Sequence, residues 1–372
     1  MYITVIAKPS EDREGRIESL DVLRGFTIAG MIVVDDPGTW SAVYPPLLHA
    51  EWNGWTYTDT IFPFFLFLAG ASLVLSLSRR AAAGLSRGAL LQGLARRAAT
   101  LVALGLALNL AAFLALGLDR FRIPGVLQRI GVCLFAAGAV WLLGGKRATR
   151  LSAVATALLL LGYAVLMRGG LDPSDNLAAR VDRAVFGAHT WKPGFDPEGV
   201  LSTIPAIATT LLGVLAGARL SPTQPASRVR TIRDLGAAGA VAAAAGLLWG
   251  RSFPVNKSLW TSSYALLTAG LAALALAACM ALEPWSVWRR ATAPLRWLGR
   301  NAIAAFTLSM LGAIGLLAVK VNGRSLWRAI HLAVFDRFAD PRLGSLLFAL
   351  AYLAVWIAVC GVLSRKRIFL KI

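Results

Sequence analysis

Apolar residues in this chain come in blocks of about 16–24, separated by short stretches that hold nearly all of the arginine and lysine. That spacing matches the length a helix needs to cross a hydrocarbon layer of about 30 Å. A chain so patterned cannot bury all of its apolar surface in one water-soluble core. The composition agrees: 57% of the residues are hydrophobic and 15% are charged, against roughly 45–50% and about 25% in soluble domains. An ordinary soluble domain, a disulfide-stapled secreted module and a disordered chain are all excluded. The pattern predicts an all-α, polytopic transmembrane helix bundle.

Ten spans are expected, at about 20–36, 59–78, 98–117, 124–144, 151–167, 200–218, 235–249, 262–282, 301–319 and 343–364. The seventh is short and alanine-rich. Small residues four apart, such as Gly213 and Gly217, are placed for close helix contact. Residues 1–372 read as a single transmembrane domain with a short cytoplasmic tail at about 1–18. That tail has no apolar run of signal-peptide length, so the first helix is expected to remain.

Charge sets the orientation. The formal net charge is +19, but the cations sit between apolar blocks and form no single stripe, so a nucleic-acid partner is not expected. With Arg24 counted in the N-terminal tail, 24 of the 38 basic residues fall on the connections that share a side with the N-terminus, and 13 on the others. The positive-inside rule then places both termini in the cytoplasm. The connections at about 168–199 and 320–342 are long enough for small structured caps outside. Cys133, Cys279 and Cys360 each lie inside an apolar block with no second cysteine or histidine at ligand spacing, so no metal and no disulfide is implied.

Ionisable groups within or beside the spans are expensive and usually functional. In SLDVLRG, Asp21 and Arg24 share a helix face at the inner edge of the first span, as an ion pair, a snorkelling anchor or an anion contact. The segment from Asp35 to Phe65 carries Asp35, Asp36, Asp59, Glu51, His49, Asn53 and three tryptophans, with no basic residue. An interfacial aromatic belt explains the tryptophans but not a histidine among carboxylates. An imidazole can accept a proton at neutral pH, so His49 is a candidate base. RIPGVLQRIGV puts Gln128 and Arg129 one turn into a span. DPEGVLSTIP caps a helix start with Asp196 and Glu198. FPVNKSLWTSSY sets Asn256 and Lys257 before Thr261, Ser262 and Ser263. PLRWLGRNAIAAF sets Arg296, Arg300 and Asn301 at an inner helix start. His189 and His331 read as surface residues.

Taken together, SLDVLRG, HAEWNGWTYTDTIFPFFLF, RIPGVLQRIGV, DPEGVLSTIPAIATTLLGVLAG, FPVNKSLWTSSY and LGRNAIAAF resemble the catalytic region of the heparan-α-glucosaminide N-acetyltransferase family. The motifs occur in family order from about residue 17 to 310. The resemblance implies an enzyme that takes an acetyl group from cytosolic acetyl-CoA and delivers it to the amine of a terminal glucosamine across the membrane. It implies that the active histidine of H-x-x-W-N-G is His49, with Trp52, Asn53 and Gly54. The family usually has asparagine at the end of the first span, where this chain has Asp35.

The expectation is thus a multi-pass acyl-CoA-dependent N-acetyltransferase of the cell inner membrane, with its catalytic site on the periplasmic face. His49 is assigned as base or transient acetyl carrier. Asp35, Asp59 or Glu51 would orient its ring, and Asn53 would donate to the oxyanion. Arg24, Arg129, Lys257 and Arg300 are the candidates for the phosphates of coenzyme A. Expected partners are the lipid bilayer, acetyl-CoA and an amino-sugar acceptor, with a homodimer left open. The rival class is an N-acetylglucosamine uptake transporter, which needs a sugar site but no coenzyme A site. A structural scaffold leaves the intramembrane Arg129 unexplained.

Overall fold

The computed structural model describes residues 2–5, 17–221 and 227–371. Most of the expected tail lies outside the described residues. The chain runs from strand β1 (Tyr2–Val5) into helices α1 (Glu18–Asp35), α2 (Tyr57–Ala82), α3 (Arg87–Leu116), α4 (Val126–Gly144) and α5 (Ala148–Leu166). A short helix α6 (Leu177–Phe186) precedes α7 (Thr203–Leu220), α8 (Arg228–Trp249) and α9 (Ser262–Leu282). Then come α10 (Ser286–Ala291), α11 (Ala293–Arg300), α12 (Ala302–Ala318), the strands β2 (Lys320–Val321) and β3 (Arg324–Ser325), α13 (Leu326–Ile330), α14 (Pro341–Arg365) and β4 (Ile368–Lys371).

The result is a multi-pass helical bundle. Among the described residues, seven helical runs are long and apolar enough to cross a membrane, or eight if α11 and α12, bent by 86° at Asn301, make one broken span. Ten were expected, and two features account for the difference. Helix α1 carries Glu18, Asp21, Arg24 and Asp35 in 18 residues, too many charges for an apolar span. The run Val126–Gly169 is one 44-residue stretch, although it joins two of the expected blocks through a break at Gly145, whose φ is +51°. The alanine-rich block forms α8, which is apolar enough to cross.

Helix α2 lies at the centre, packed against α1, α4, α7 and α9. Its most apolar stretch is 67% buried, against 17% for α3, so α2 is interior and α3 presents most of its surface outward. Missing side chains allow the closest contact. A Cβ on Gly213 would stand 1.9 Å from the Phe67 carbonyl oxygen, and one on Gly217 would stand 2.4 Å from that of Ala71. The small-residue spacing therefore serves the α2–α7 seam. Helix α11 crosses α1 in the same way, with Gly299 against the carbonyl of Asp21 and Gly25 against that of Leu295.

Both long connections form caps. Residues 168–199 hold α6 and the bridges Leu171–Asn176 and Lys192–Phe195, and residues 320–340 hold the β2–β3 hairpin and α13. Strands β1 and β4 pair antiparallel, so the two ends of the described chain lie together. Cys133, Cys279 and Cys360 are free and buried.

Candidate active site

The site is assembled by two loops, 49–56 before α2 and 254–261 before α9. Gly54 donates its N–H to the carbonyl of Val255 at 2.7 Å. Its φ of +106° is a conformation that glycine adopts without strain, which explains the glycine of the H-x-x-W-N-G pattern. One residue along, Asn256 Nδ2 donates to Asn53 Oδ1 at 3.2 Å. Next to that pair, Lys257 Nζ stands 3.0 Å from both Nδ1 and Nε2 of His49. The second loop is stapled by the residues that precede and open α9. Thr261 donates its hydroxyl to the Pro254 carbonyl at 2.8 Å, Ser263 to that of Phe253 at 2.6 Å, and Ser262 to that of Leu160 at 2.7 Å.

Asp59 anchors the first loop. It is the third residue of α2, and its Oδ2 accepts the backbone N–H of Thr56 at 2.9 Å, the reach-back half of a capping box. The same oxygen accepts the N–H of Ala50 at 3.0 Å. Its Oδ1 lies 2.8 Å from His49 Nδ1. Asp59 is buried, while the His49 side chain is 48% exposed. One carboxylate thus starts the helix, fixes the loop and holds the imidazole. Of the three carboxylates considered for orienting the ring, it is Asp59 that bonds to it. Glu51 is exposed, and Asp35, at the end of α1, acts on Lys257 and His49 only through space.

Around this dyad lie more charges. Lys257 Nζ is 3.9 Å from Asp59 Oδ1. Burial pushes its ammonium below the ordinary lysine value, against the opposing fields of Asp59, Glu198 and Asp35. Glu198 is raised by burial, but Arg122, Arg129 and Lys257 outweigh this and hold it below its ordinary value. Arg122 grips Asp196 through Nε at 2.8 Å and Nη2 at 2.6 Å, and also bonds Glu198. Arg129 is only 2% exposed. It donates to Ser202 and to the Gly199 carbonyl, with its Cζ 5.1 Å from the Trp260 ring centre.

The four cations expected at one phosphate site divide into two groups. Arg129 and Lys257 stand with His49. Arg24 and Arg300 stand at the other end of α1, where Arg24 Nη1 lies 3.2 Å from Asp21 Oδ1 and Arg300 Nε 3.8 Å from Asp21 Oδ2. The reason is helix polarity. Arg129 opens α4, whose first turn faces the His49 loops, and Lys257 precedes α9 at the same end. Arg24 also donates to Ser72 and to the Gly299 carbonyl. Ser72 is 13 residues beyond Asp59 on α2, which separates the two ends by about 20 Å.

Two arginines not singled out in the sequence join the second group. Arg97 interacts electrostatically with Arg24 and Arg80, and its buried Nε has no hydrogen-bond partner among the described residues. In the sequence these arginines were indistinguishable from orienting charges. His331 is a correction: expected at the surface, it is 2% exposed and packs edge-on to Phe348 at 5.9 Å. A π-helical turn at His331–Phe335 folds it inward. His189 is exposed, with Nδ1 2.9 Å from the Phe121 carbonyl. Among the described residues no group of three or more acidic, histidine or cysteine side chains could hold a metal.

A family model described as "Heparan-alpha-glucosaminide N-acetyltransferase, catalytic" matches residues 16–248. A human protein named heparan-alpha-glucosaminide N-acetyltransferase is 29% identical over 308 residues, covering 67% of this chain and 46% of its own length. Its mouse counterpart is 27% identical over 311 residues, with the same coverage. The chain therefore spans about half the length of the relatives it matches. Neither name supports the uptake-transporter reading. The match extends over more than half of the chain, from the start of α1 through α8, and takes in the His49 loop, Asp59 and the Arg122–Glu198 network: the chain belongs to the heparan-alpha-glucosaminide N-acetyltransferase catalytic family.

Proposed function

We propose that this protein is a membrane N-acetyltransferase that carries an acetyl group from cytoplasmic acetyl-CoA to the amine of a glucosamine-type sugar on the periplasmic side of the inner membrane. The observation that carries the reading is the pairing of an Asp59–His49–Lys257 cluster at one end of α2 with a separate arginine group at the other. An uptake transporter has no need of the second group.

The chemistry follows from the geometry. Asp59 accepts a hydrogen bond from His49 Nδ1–H, which leaves Nε2 to take a proton from the acceptor ammonium or amine. The amine nitrogen bonds to the acetyl carbon and gives up a proton to Nε2, the carbon–sulfur bond breaks, and the sulfur leaves as a thiol with the proton that Nε2 hands on. Negative charge grows on the acetyl oxygen and then on sulfur, and Lys257 and the Asn53 amide are the donors beside His49. Lys257 thus moves from the phosphate site to the reacting centre. Arg129, buried on Trp260 and bonded to Ser202, supports the same end. The phosphates of coenzyme A fall to Arg24, Arg80, Arg97 and Arg300. A transient acetyl-His49 remains compatible with the same residues.

In this reading the membrane-spanning domain has ten crossings with both termini cytoplasmic. The packing of α4 on α5 supports it, because one straight 44-residue helix would be about 66 Å long, twice the hydrocarbon thickness. The β1–β4 pairing requires an even number of crossings if both strands lie outside the bilayer. A cysteine at Ser41, in a background without the native cysteines, is expected to react with an impermeant reagent from outside intact cells. One at Ser86 is expected to react only after lysis. The reverse pattern overturns the orientation. Proteoliposomes supplied with acetyl-CoA on the Ser86 side and glucosamine on the other are expected to form N-acetylglucosamine. Product formed only when both substrates share one side overturns transfer across the membrane.

A further inference from the structure

Helix α2 contains Pro63, four residues after Asp59. Proline has no N–H, so the carbonyl of Asp59 lacks the donor that would close that helical turn. The Tyr264 hydroxyl takes the place of this donor, 2.6 Å from the Asp59 oxygen. Tyr264 is 0% exposed and lies in the first turn of α9, so the bond is made in the interior, where an unmet carbonyl is costly.

The hydroxyl has little freedom. Its ring meets Trp260 edge-on at 5.3 Å and 88°. Trp260 in turn meets Phe62 edge-on at 5.1 Å, donates Nε1–H to Thr209 Oγ1 at 3.1 Å and lies beneath Arg129. The residue whose main chain is held this way is the one whose side chain holds His49.

We propose that Tyr264 is a positioning residue: by replacing the helix donor that Pro63 removes, it fixes the main chain of Asp59 and hence the place at which the Asp59 carboxylate holds His49. The proposal rests on the reading of His49 as the group that serves acetyl transfer. It makes Tyr264 act through Asp59, with no contact to donor or acceptor. The loss of its hydroxyl should therefore slow turnover and leave donor affinity alone.

The test compares wild type, Tyr264→Phe and the double variant Tyr264→Phe/Pro63→Ala in nanodiscs. The double variant restores an N–H at position 63 that can close the helix onto the Asp59 carbonyl. Two properties are read: acetyl-transfer kinetics and the ring-nitrogen NMR spectrum of labelled histidine, tractable because the chain has three histidines. Tyr264→Phe is expected to lower kcat about tenfold, as loss of an orienting partner commonly does, with the KM for acetyl-CoA held within roughly twofold. The His49 signal should pass from one Nδ1–H tautomer to a mixture. The double variant should recover both. A Tyr264→Phe protein with the wild-type spectrum overturns the proposal, as does an altered spectrum that the double variant does not restore. If wild type itself transfers no acetyl group, the functional reading fails, and the spectra still decide whether Tyr264 positions the Asp59–His49 pair.

Discussion

Lys257 Nζ stands 3.0 Å from both ring nitrogens of His49, and the two residues are 208 positions apart in the chain. Only the docking of the 254–261 loop on the 49–56 loop brings them together. A cation this close to the imidazole lies beside the place where an oxyanion or a leaving thiolate would form.

Lys257→Met should therefore lower kcat by about 10²-fold, the usual effect of removing one preorganised donor to a developing anion. Burial holds the Lys257 ammonium below its ordinary value. Activity that needs the ammonium form should fall on the alkaline side earlier than an ordinary lysine would allow. The methionine variant should lack that limb. pH–rate profiles of the two proteins check this, and an unchanged alkaline limb in the variant contradicts it.

The Arg122–Asp196–Glu198 network should set the acid limit of stability. The Glu198 carboxyl is held below its ordinary value of 4.5. A group depressed in the folded protein stabilises it above the unfolded value, and that contribution is lost as pH falls through the depressed value. Melting temperatures followed by tryptophan fluorescence in detergent should fall below about pH 4.5, and less so in Glu198→Gln. Asp196→Ala, which leaves Arg122 without its two-point partner, should cost about 3 kcal/mol.

The α2–α7 seam predicts a steric effect. Gly213→Leu forces a side chain against the Phe67 carbonyl, 1.9 Å from the new Cβ, and should destabilise the bundle by about 3 kcal/mol. Gly315→Ala, at a helical site with nothing within 4 Å, should hold or slightly raise the melting temperature. Equal melting temperatures for both variants contradict the seam.

Much of this was legible in the sequence, and the particular residues show where legibility ended. The membrane class followed from block length alone. His49 stood out because a histidine among carboxylates is not explained by an interfacial belt. Asp59 was singled out as a carboxylate near His49, although its double role, closing the capping box with Thr56 and bonding the ring, was not legible. The division of the cations was implicit in the alternation of the ten expected spans, which sets Arg24 and Arg300 at one face and Arg129 and Lys257 at the other, and pooling all four for one ligand passed over it. Arg24 and Arg129 both sit about a turn inside a helix, and which end of the bundle they occupy depends on chain direction. Arg97 lies at the edge of an apolar block, where every arginine looks like an orienting charge. The link from Tyr264 to Asp59 is a main-chain contact across 205 positions, and no local pattern encodes it. His331 required a π-helical turn that periodicity does not signal.

The arginine group at the Arg24 end should bind the donor. Arg97→Ala is expected to weaken acetyl-CoA binding by roughly tenfold or more, the value of a charge-assisted phosphate contact of about 1.5–3 kcal/mol. Arg129→Ala, at the other end, should lower turnover more than affinity. Calorimetry on the purified proteins separates the two, and equal affinity losses contradict the assignment of two ends.

The central claim is that His49 moves the proton, or the acetyl group, in a transfer from acetyl-CoA to an amino sugar. The most direct measurement is transfer of labelled acetyl from acetyl-CoA to glucosamine by purified, reconstituted protein, with His49→Ala beside wild type. Wild type is expected to transfer the label, and the variant to lose about 10²–10⁴-fold in kcat with acetyl-CoA affinity and folding unchanged. Transfer by His49→Ala within a few-fold of wild type would contradict this role of His49, and would leave Asp35, Asp36 and Asp59 as the groups from which the base must come.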